Sequence, residues 1–245
     1  MVATQSWLQA SFHAGKAWLR TPFTRQTGAA PPTSALVPIR TLAARHRDRI
    51  AAHLLALAPE DRYLRFGYSA SDAQIQHYVA HLDFTRDEIF GIYNRRLELV
   101  AMAHLAYAQG EARDLFHTGS AEFGVSVLPR LRGRGFGGRL FERAMVHARN
   151  AGVGQIVVHA LSENTAMLKI ARNAGATVER AGPESEAYLA LPPASFDSRM
   201  SQIVDHHIGE VDYRMKREAR RVQDAVGDIQ EVREGIRQAR GQSAA

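Results

Sequence analysis

The segment Val125-Ser126-Val127-Leu128-Pro129-Arg130-Leu131-Arg132-Gly133-Arg134-Gly135-Phe136-Gly137-Gly138 constrains this chain more than any other. An apolar strand runs into a Gly/Arg loop, which opens directly into an amphipathic helix carrying Leu140, Phe141, Ala144, Met145 and Ala148. Glycine has no Cβ to hold a ligand off the backbone, and the first N–H groups of a helix are free at the positive end of its dipole. Such a loop is a cradle for phosphate or pyrophosphate. The strand 121–127, helix 135–151 and strand 155–159 form a crossover unit, so two strands must lie parallel with a right-handed connection.

Composition removes many other kinds of chemistry. With 245 residues, 45% of them apolar, the chain can bury a sizeable core. It has no cysteine, which excludes disulfides, thiol nucleophiles and Cys-ligated metals. The most apolar stretch, Leu99 to Ala108, is interrupted by His104 and is too short for a membrane span. The net charge of +6 comes from residues 1–47, which hold six basic residues and no acid, leaving 25 of each sign in the rest. Nucleic acid is therefore not an expected partner, because phosphate tracking needs clustered cations. Only three of the 31 basic residues are Lys, a skew that suits a GC-rich bacterial genome. A cytoplasmic location is expected, since no secretory apolar region follows the early charges.

Three regions follow from the punctuation. Residues 1–35 read as an amphipathic element with Trp7 and Trp18 plus a Pro/Gly-rich linker; an acid-free start of this kind also suits a transit peptide. Residues 36–193 read as the globular domain: a strand at 36–40, a helix over 42–57, a helix over 70–82 capped by Ser71, and a hairpin of 89–93 and 97–107. The crossover unit follows, then a helix over 162–174 and strands near 176–180 and 186–191. The order β-α-α-β-β-β-α-β-α-β-β predicts an α+β fold with a mixed central sheet flanked by helices. Residues 194–245 read as a long helical tail. Val204, Ile208, Val211, Met215, Glu218, Val222, Ala225, Ile229, Val232, Ile236 and Ala239 hold a 3.5-residue repeat in which only Glu218 is polar. That period predicts a coiled-coil-like arm and a homo-oligomer or partner helix against it.

The cradle type is settled by what surrounds it. The ATP-type loop needs a Lys, and none lies near. Gly133, Gly135 and Gly138 match the dinucleotide pattern, but the acid expected after the next strand is replaced by His159. A third pattern, Arg/Gln-x-x-Gly-x-Gly, is met by Arg132, Gly135 and Gly137. With the preceding strand, and with Asn164-x-x-Met167 followed by Ala171 and Gly175-Ala176, residues 36–191 closely resemble the GNAT superfamily of acyl-CoA-dependent N-acyltransferases.

The resemblance implies that acetyl-CoA or a short acyl-CoA is the cosubstrate and that a primary amine, on a small molecule or a protein, is the acceptor. It implies that the backbone of Val125, Ser126 and Val127 pairs with the pantetheine arm. The amides of Arg132, Gly133, Arg134, Gly135, Phe136, Gly137 and Gly138 would hold the pyrophosphate, with Asn164 reaching the cofactor from the next helix. Ala171 stands where many members carry the Tyr that protonates the leaving thiolate, and Ala176 replaces a familiar Phe; Tyr188 or water is then the candidate acid. Glu122 occupies the position of the family's frequent base, and partial burial on a strand would raise its pKa towards neutrality. His104 and His117 are the runner-up bases. The run Asp61–Tyr68, between the first two helices, lies where the resemblance implies an acceptor groove. His77 and His81 have metal spacing but no third ligand, so no metal is expected. The alternative to catalysis is a silent acyl-CoA-binding module that signals through its helical tail.

Overall fold

The computed structural model describes residues 37–108 and 119–242, with side chains described as far as residue 224. The N-terminal element with Trp7 and Trp18, His117, and the side chains of the seam beyond Val222 lie outside the described residues. β1 (Arg40–Thr41) and a 3-10 turn lead into α1 (Arg47–Leu55), α2 (Pro59–Phe66) and α3 (Asp72–Ala80). The hairpin β2 (Glu88–Tyr93) and β3 (Leu99–Tyr107) precedes β4 (Ser120–Val127), α4 (Phe136–Asn150) and β5 (Gln155–Leu161). α5 (Thr165–Asn173), β6 (Thr177–Ala181), β7 (Glu184–Ala190) and α6 (Phe196–Gln242) complete the chain. The strands form one mixed sheet in the order β1-β2-β3-β4-β5-β7-β6, with β4 and β5 its parallel pair.

Alternation along β4 divides the core between the two faces of the sheet. Phe123 packs edge-on against Phe141 of α4 at 4.8 Å between ring centres, so α4 covers one face with Leu140, Phe141, Ala144 and Ala148. Ser126 points the other way, to His53 of α1, and Ile50 and Leu54 of α1 with Ile75 and Val79 of α3 cover that face. Ser71 caps α3 as expected: its hydroxyl accepts from the Gln74 N–H, and the Gln74 side chain accepts from the Ser71 N–H.

Two elements differ from the sequence reading. The run read as a connection between two helices is itself a helix, α2. Pro59 follows the first helix and opens the next: it lies in the first turn of α2 with Glu60 and Asp61, and Gly67 closes the helix in the left-handed region at φ 79°. The second difference concerns the tail. α6 docks on the body through a face that joins polar contacts to the buried ring of Tyr213, 5.2 Å from that of Tyr93; Asn150 Nδ2 donates to Gln202 Oε1 (2.5 Å) and Arg143 meets Asp205 (3.3 Å). Further along, Arg40 meets Glu210 (2.6 Å) and Lys216 Nζ donates to the Tyr93 carbonyl (2.9 Å). Gly209 allows this close approach, since a Cβ there would collide with the Ile39 carbonyl. The apolar seam faces away from the body, with Val204 48%, Val211 53%, Met215 62% and Val222 64% exposed.

Candidate active site

β4 and β5 are paired only from Ser120 to Glu122, where Glu122 lies opposite Val157. Beyond that point β5 stays with β7 as far as Leu161, while β4 stays with β3. The two parallel strands therefore part and leave a cleft of about 430 Å³ between Glu122–Val125 and Val158–Leu161. The end of α2, at Arg65–Gly67, and the start of α5, at Asn164 and Met167, also line the cleft.

The β3–β4 ladder decides which β4 groups face this cleft. The Ala108 N–H donates to the Ser120 carbonyl and the Leu128 N–H to the Val100 carbonyl, so even-numbered β4 residues exchange hydrogen bonds with β3. The N–H and C=O of Phe123, Val125 and Val127 then point to the side that β5 has left. Val125 and Val127 thus turn their backbone groups to the cleft side, whereas the Ser126 backbone belongs to the β3 ladder and its buried hydroxyl donates to His53 Nε2 (2.8 Å).

At the C-terminal end of β4 the chain passes through a 3-10 turn, Pro129–Leu131, and then the glycine loop. Gly133 and Gly135 adopt φ 74° and 76°, a region that disfavours any side chain, with open space where a Cβ would stand. Gly135 is the N-cap of α4 and no side chain caps the helix. The amides of Phe136, Gly137 and Gly138 thus begin a 15-residue helix without a side-chain partner at the cap, the arrangement that receives an anion. Gly137 has a second role, because a Cβ there would lie 2.8 Å from Ile170 Cδ1 of α5; its absence lets the two helices pack. Arg134 is exposed at the rim, whereas Arg132 pairs with Asp61 of α2 and donates weakly to the Val127 carbonyl (3.4 Å). Arg132 thereby ties the loop to α2.

Asn164 lines the cleft but uses both ends of its amide locally. Its Oδ1 accepts from the Met167 N–H (3.1 Å) and its Nδ2 donates to the Leu64 carbonyl (3.2 Å). Ala171 is fully buried in α5, so no phenol reaches the cleft from there. Tyr188 donates to Glu186, which raises its pKa above the ordinary phenol value. Glu122 stands at the cleft with its side chain exposed. The partial burial expected for it is absent.

A buried polar chain escaped the sequence reading in all but one member. Asp87, just before β2, accepts from His104 Nε2 (3.0 Å), and His104 Nδ1 accepts from the Tyr78 hydroxyl (2.7 Å). Burial holds the His104 imidazole below its usual pKa, so it is neutral, and this tautomer satisfies both neighbours. The Arg86 guanidinium (2.5 Å) and His104 hold Asp87 below the usual carboxylate range against the opposing effect of burial. The signal was long-range: Tyr78 lies on α3, Asp87 just before β2 and His104 on β3, and only the antiparallel register brings them together. His77 and His81 stack at 4.0 Å, and among the described residues no group of three or more His, Asp or Glu could hold a metal.

The acetyltransferase (GNAT) domain family matches residues 37–177, more than half of the chain, and the protein belongs to that family. Its fold is similar to the GNAT domain of Streptomyces lividans PAT, with TM-score 0.52 and 21% identity over 62% of this chain and 89% of that one. It is also similar to a Sinorhizobium meliloti phosphinothricin acetyltransferase solved in complex with AcCoA (TM-score 0.51, 13% identity, 65% and 94% covered). A third similar structure is a putative acetyltransferase of Acinetobacter baylyi (TM-score 0.52, 16% identity, 65% and 95% covered). No curated protein matches this chain. No described helix is long and apolar enough to cross a membrane.

Proposed function

We propose that this protein is an N-acyltransferase that moves an acetyl or short acyl group from acyl-CoA to a primary amine by direct attack in a ternary complex. One observation supports the reading: β4 parts from β5 at Glu122 and runs on, with that edge unpaired, towards the uncapped start of α4 at Gly135. The amides of Gly133 to Gly138 would hold the pyrophosphate. The inward-facing groups of Val125 and Val127 would pair with the pantetheine arm, with a strand N–H available to the thioester oxygen as charge develops there.

The acceptor arrives as an ammonium ion and loses one proton to Glu122, directly or through water. The nitrogen then bonds to the acyl carbon as the C–S bond breaks, and CoA leaves with the electron pair as thiolate. The second amine proton passes to water or to the thiolate, since Ala171 offers no acid. Acyl-CoA and amine meet in a cytoplasmic enzyme on this reading, and its exposed α6 seam pairs with a second copy.

Two features favour the silent-module alternative, namely Ala171 and the free seam of α6. Free CoA release from acetyl-CoA with a panel of amines separates the two. Turnover supports the enzyme; a thermal shift with acetyl-CoA and no turnover supports the module.

A further inference from the structure

Arg65, on the last turn of α2, is partly buried in the cleft beside Glu122 and Gly124. Three other covered arginines meet a counter-ion, Arg40 with Glu210 (2.6 Å), Arg62 with Asp72 (2.6 Å) and Arg143 with Asp205 (3.3 Å), while Arg47 is satisfied by the carbonyls of Val79, Ala80 and Leu82. Among the described residues no carboxylate lies within 4.0 Å of Arg65. Its Nε is fully buried without a hydrogen-bond partner, and its one polar contact is Nη2 donating to the Tyr78 hydroxyl (3.3 Å). A guanidinium withdrawn from water without a partner is costly, and its planar fork of donors matches a carboxylate bidentately.

The guanidinium is also mounted rather than loose. It sits 5.2 Å from the Phe66 ring and 5.9 Å from the Tyr78 ring. Tyr78 accepts from it while donating to His104, which Asp87 orients, so a chain through three secondary-structure elements fixes the group. β4 makes room for it as well: a Cβ on Gly124 would lie 2.6 Å from Arg65 Cζ. About 7 Å along the strand separates Glu122 from Gly124. That span suits a small molecule with an ammonium near the first and a carboxylate near the second.

We propose that Arg65 anchors a carboxylate beside the reacting centre, brought either by an amino-acid-type acceptor or by the acyl group of a dicarboxylic acyl-CoA. The proposal rests on the acyl-transfer reading and names its substrate class. Glu184 and Glu186, across the cleft, disfavour an anion on the opposite wall and leave Arg65 as its place.

The test uses the full chain and measures thiol release, which its lack of cysteine leaves free of background. The acceptor arm compares alanine, β-alanine and aspartate with alaninamide and propylamine, all with acetyl-CoA. The donor arm compares succinyl-CoA with butyryl-CoA on propylamine. In one arm the carboxylate compound should exceed its neutral counterpart about 30-fold in kcat/KM, and Arg65→Gln should bring that ratio to within about threefold of one, with Arg65→Lys between. Gly124→Ala, which displaces the guanidinium, should act likewise and replaces Arg65→Gln if that variant loses its native circular dichroism. No carboxylate preference in either arm overturns the proposal. So does an equal loss on both compounds with the ratio intact, which marks a structural role. If no amine releases CoA, the acyl-transfer reading fails and thermal shift decides the anchor separately. Stronger protection by succinyl-CoA than by butyryl-CoA, or by aspartate than by alaninamide, that Arg65→Gln erases supports it, and equal protection in both pairs overturns it.

Discussion

His53 gives a prediction with a magnitude. It lies in α1 with 2% of its surface exposed and bridges two strands: Nδ1 donates to the Leu99 carbonyl (2.9 Å) and Nε2 accepts from Ser126 (2.8 Å). Burial lowers its pKa from 6.5 to about 4. Because the folded protein binds this proton less readily than the unfolded chain, the stabilisation is complete above pH 6.5 and is lost as pH falls from 6.5 towards 4. At about 1.4 kcal/mol per decade, the span from 6.5 to about 4 is worth about 3 kcal/mol, of order a third of a typical domain's stability. Urea unfolding between pH 7.5 and pH 4 should therefore show a loss in the wild type about 3 kcal/mol larger than in His53→Gln, which has no imidazole to charge. The comparison between the two proteins cancels the other acid-sensitive groups, including His46, lowered to about 4, and the depressed carboxyls of Asp87 and Glu210. Parallel pH profiles for the two proteins, or an NMR titration of His53 near 6.5, would refute the argument.

The other predictions concern the site and the tail. Gly135→Asp should abolish the rise in melting temperature that acetyl-CoA produces, because it strains a φ of 76° and puts a negative charge at the cradle; an unchanged shift places CoA elsewhere. Glu122→Gln should slow acyl transfer about 100-fold at neutral pH with acetyl-CoA binding retained, and undiminished turnover would move the base to His104, His117 or water. Val211→Glu with Val222→Glu, at seam positions more than half exposed, should convert a dimer to a monomer in light scattering and leave acetyl-CoA binding intact. An oligomer unaffected by the pair sinks the role of the seam. Pairing should be antiparallel, since a parallel dimer would bring the two Glu218 carboxylates together in its core.

Local patterns made much of this protein legible. The Gly133–Gly138 loop, the Ser71 cap, the hairpin and the crossover unit depend on residues a few positions apart, whose backbone preferences act within one or two turns of chain. Gly135 needs no tertiary context to start a helix with free amides. The signal of helix α2 was also local, since Pro59, Glu60 and Asp61 can start a helix and Gly67 can stop one. What tertiary structure alone decided was the partnership of groups far apart in sequence. The Asn164 side chain meets the Leu64 carbonyl 100 residues away, and the Arg132 guanidinium meets Asp61 on α2. The heptads of α6 specified an apolar seam but not which face would dock: Tyr213, off that seam, is buried against Tyr93 and Arg40, with Asp205 and Glu210 meeting Arg143 and Arg40 on the body. Arg65 lies in the run placed at the acceptor groove and His104 among the candidate bases, but the chain that links them was not legible: hydrogen bonds act over about 3 Å in space, and the residues reach that distance only once the sheet has paired.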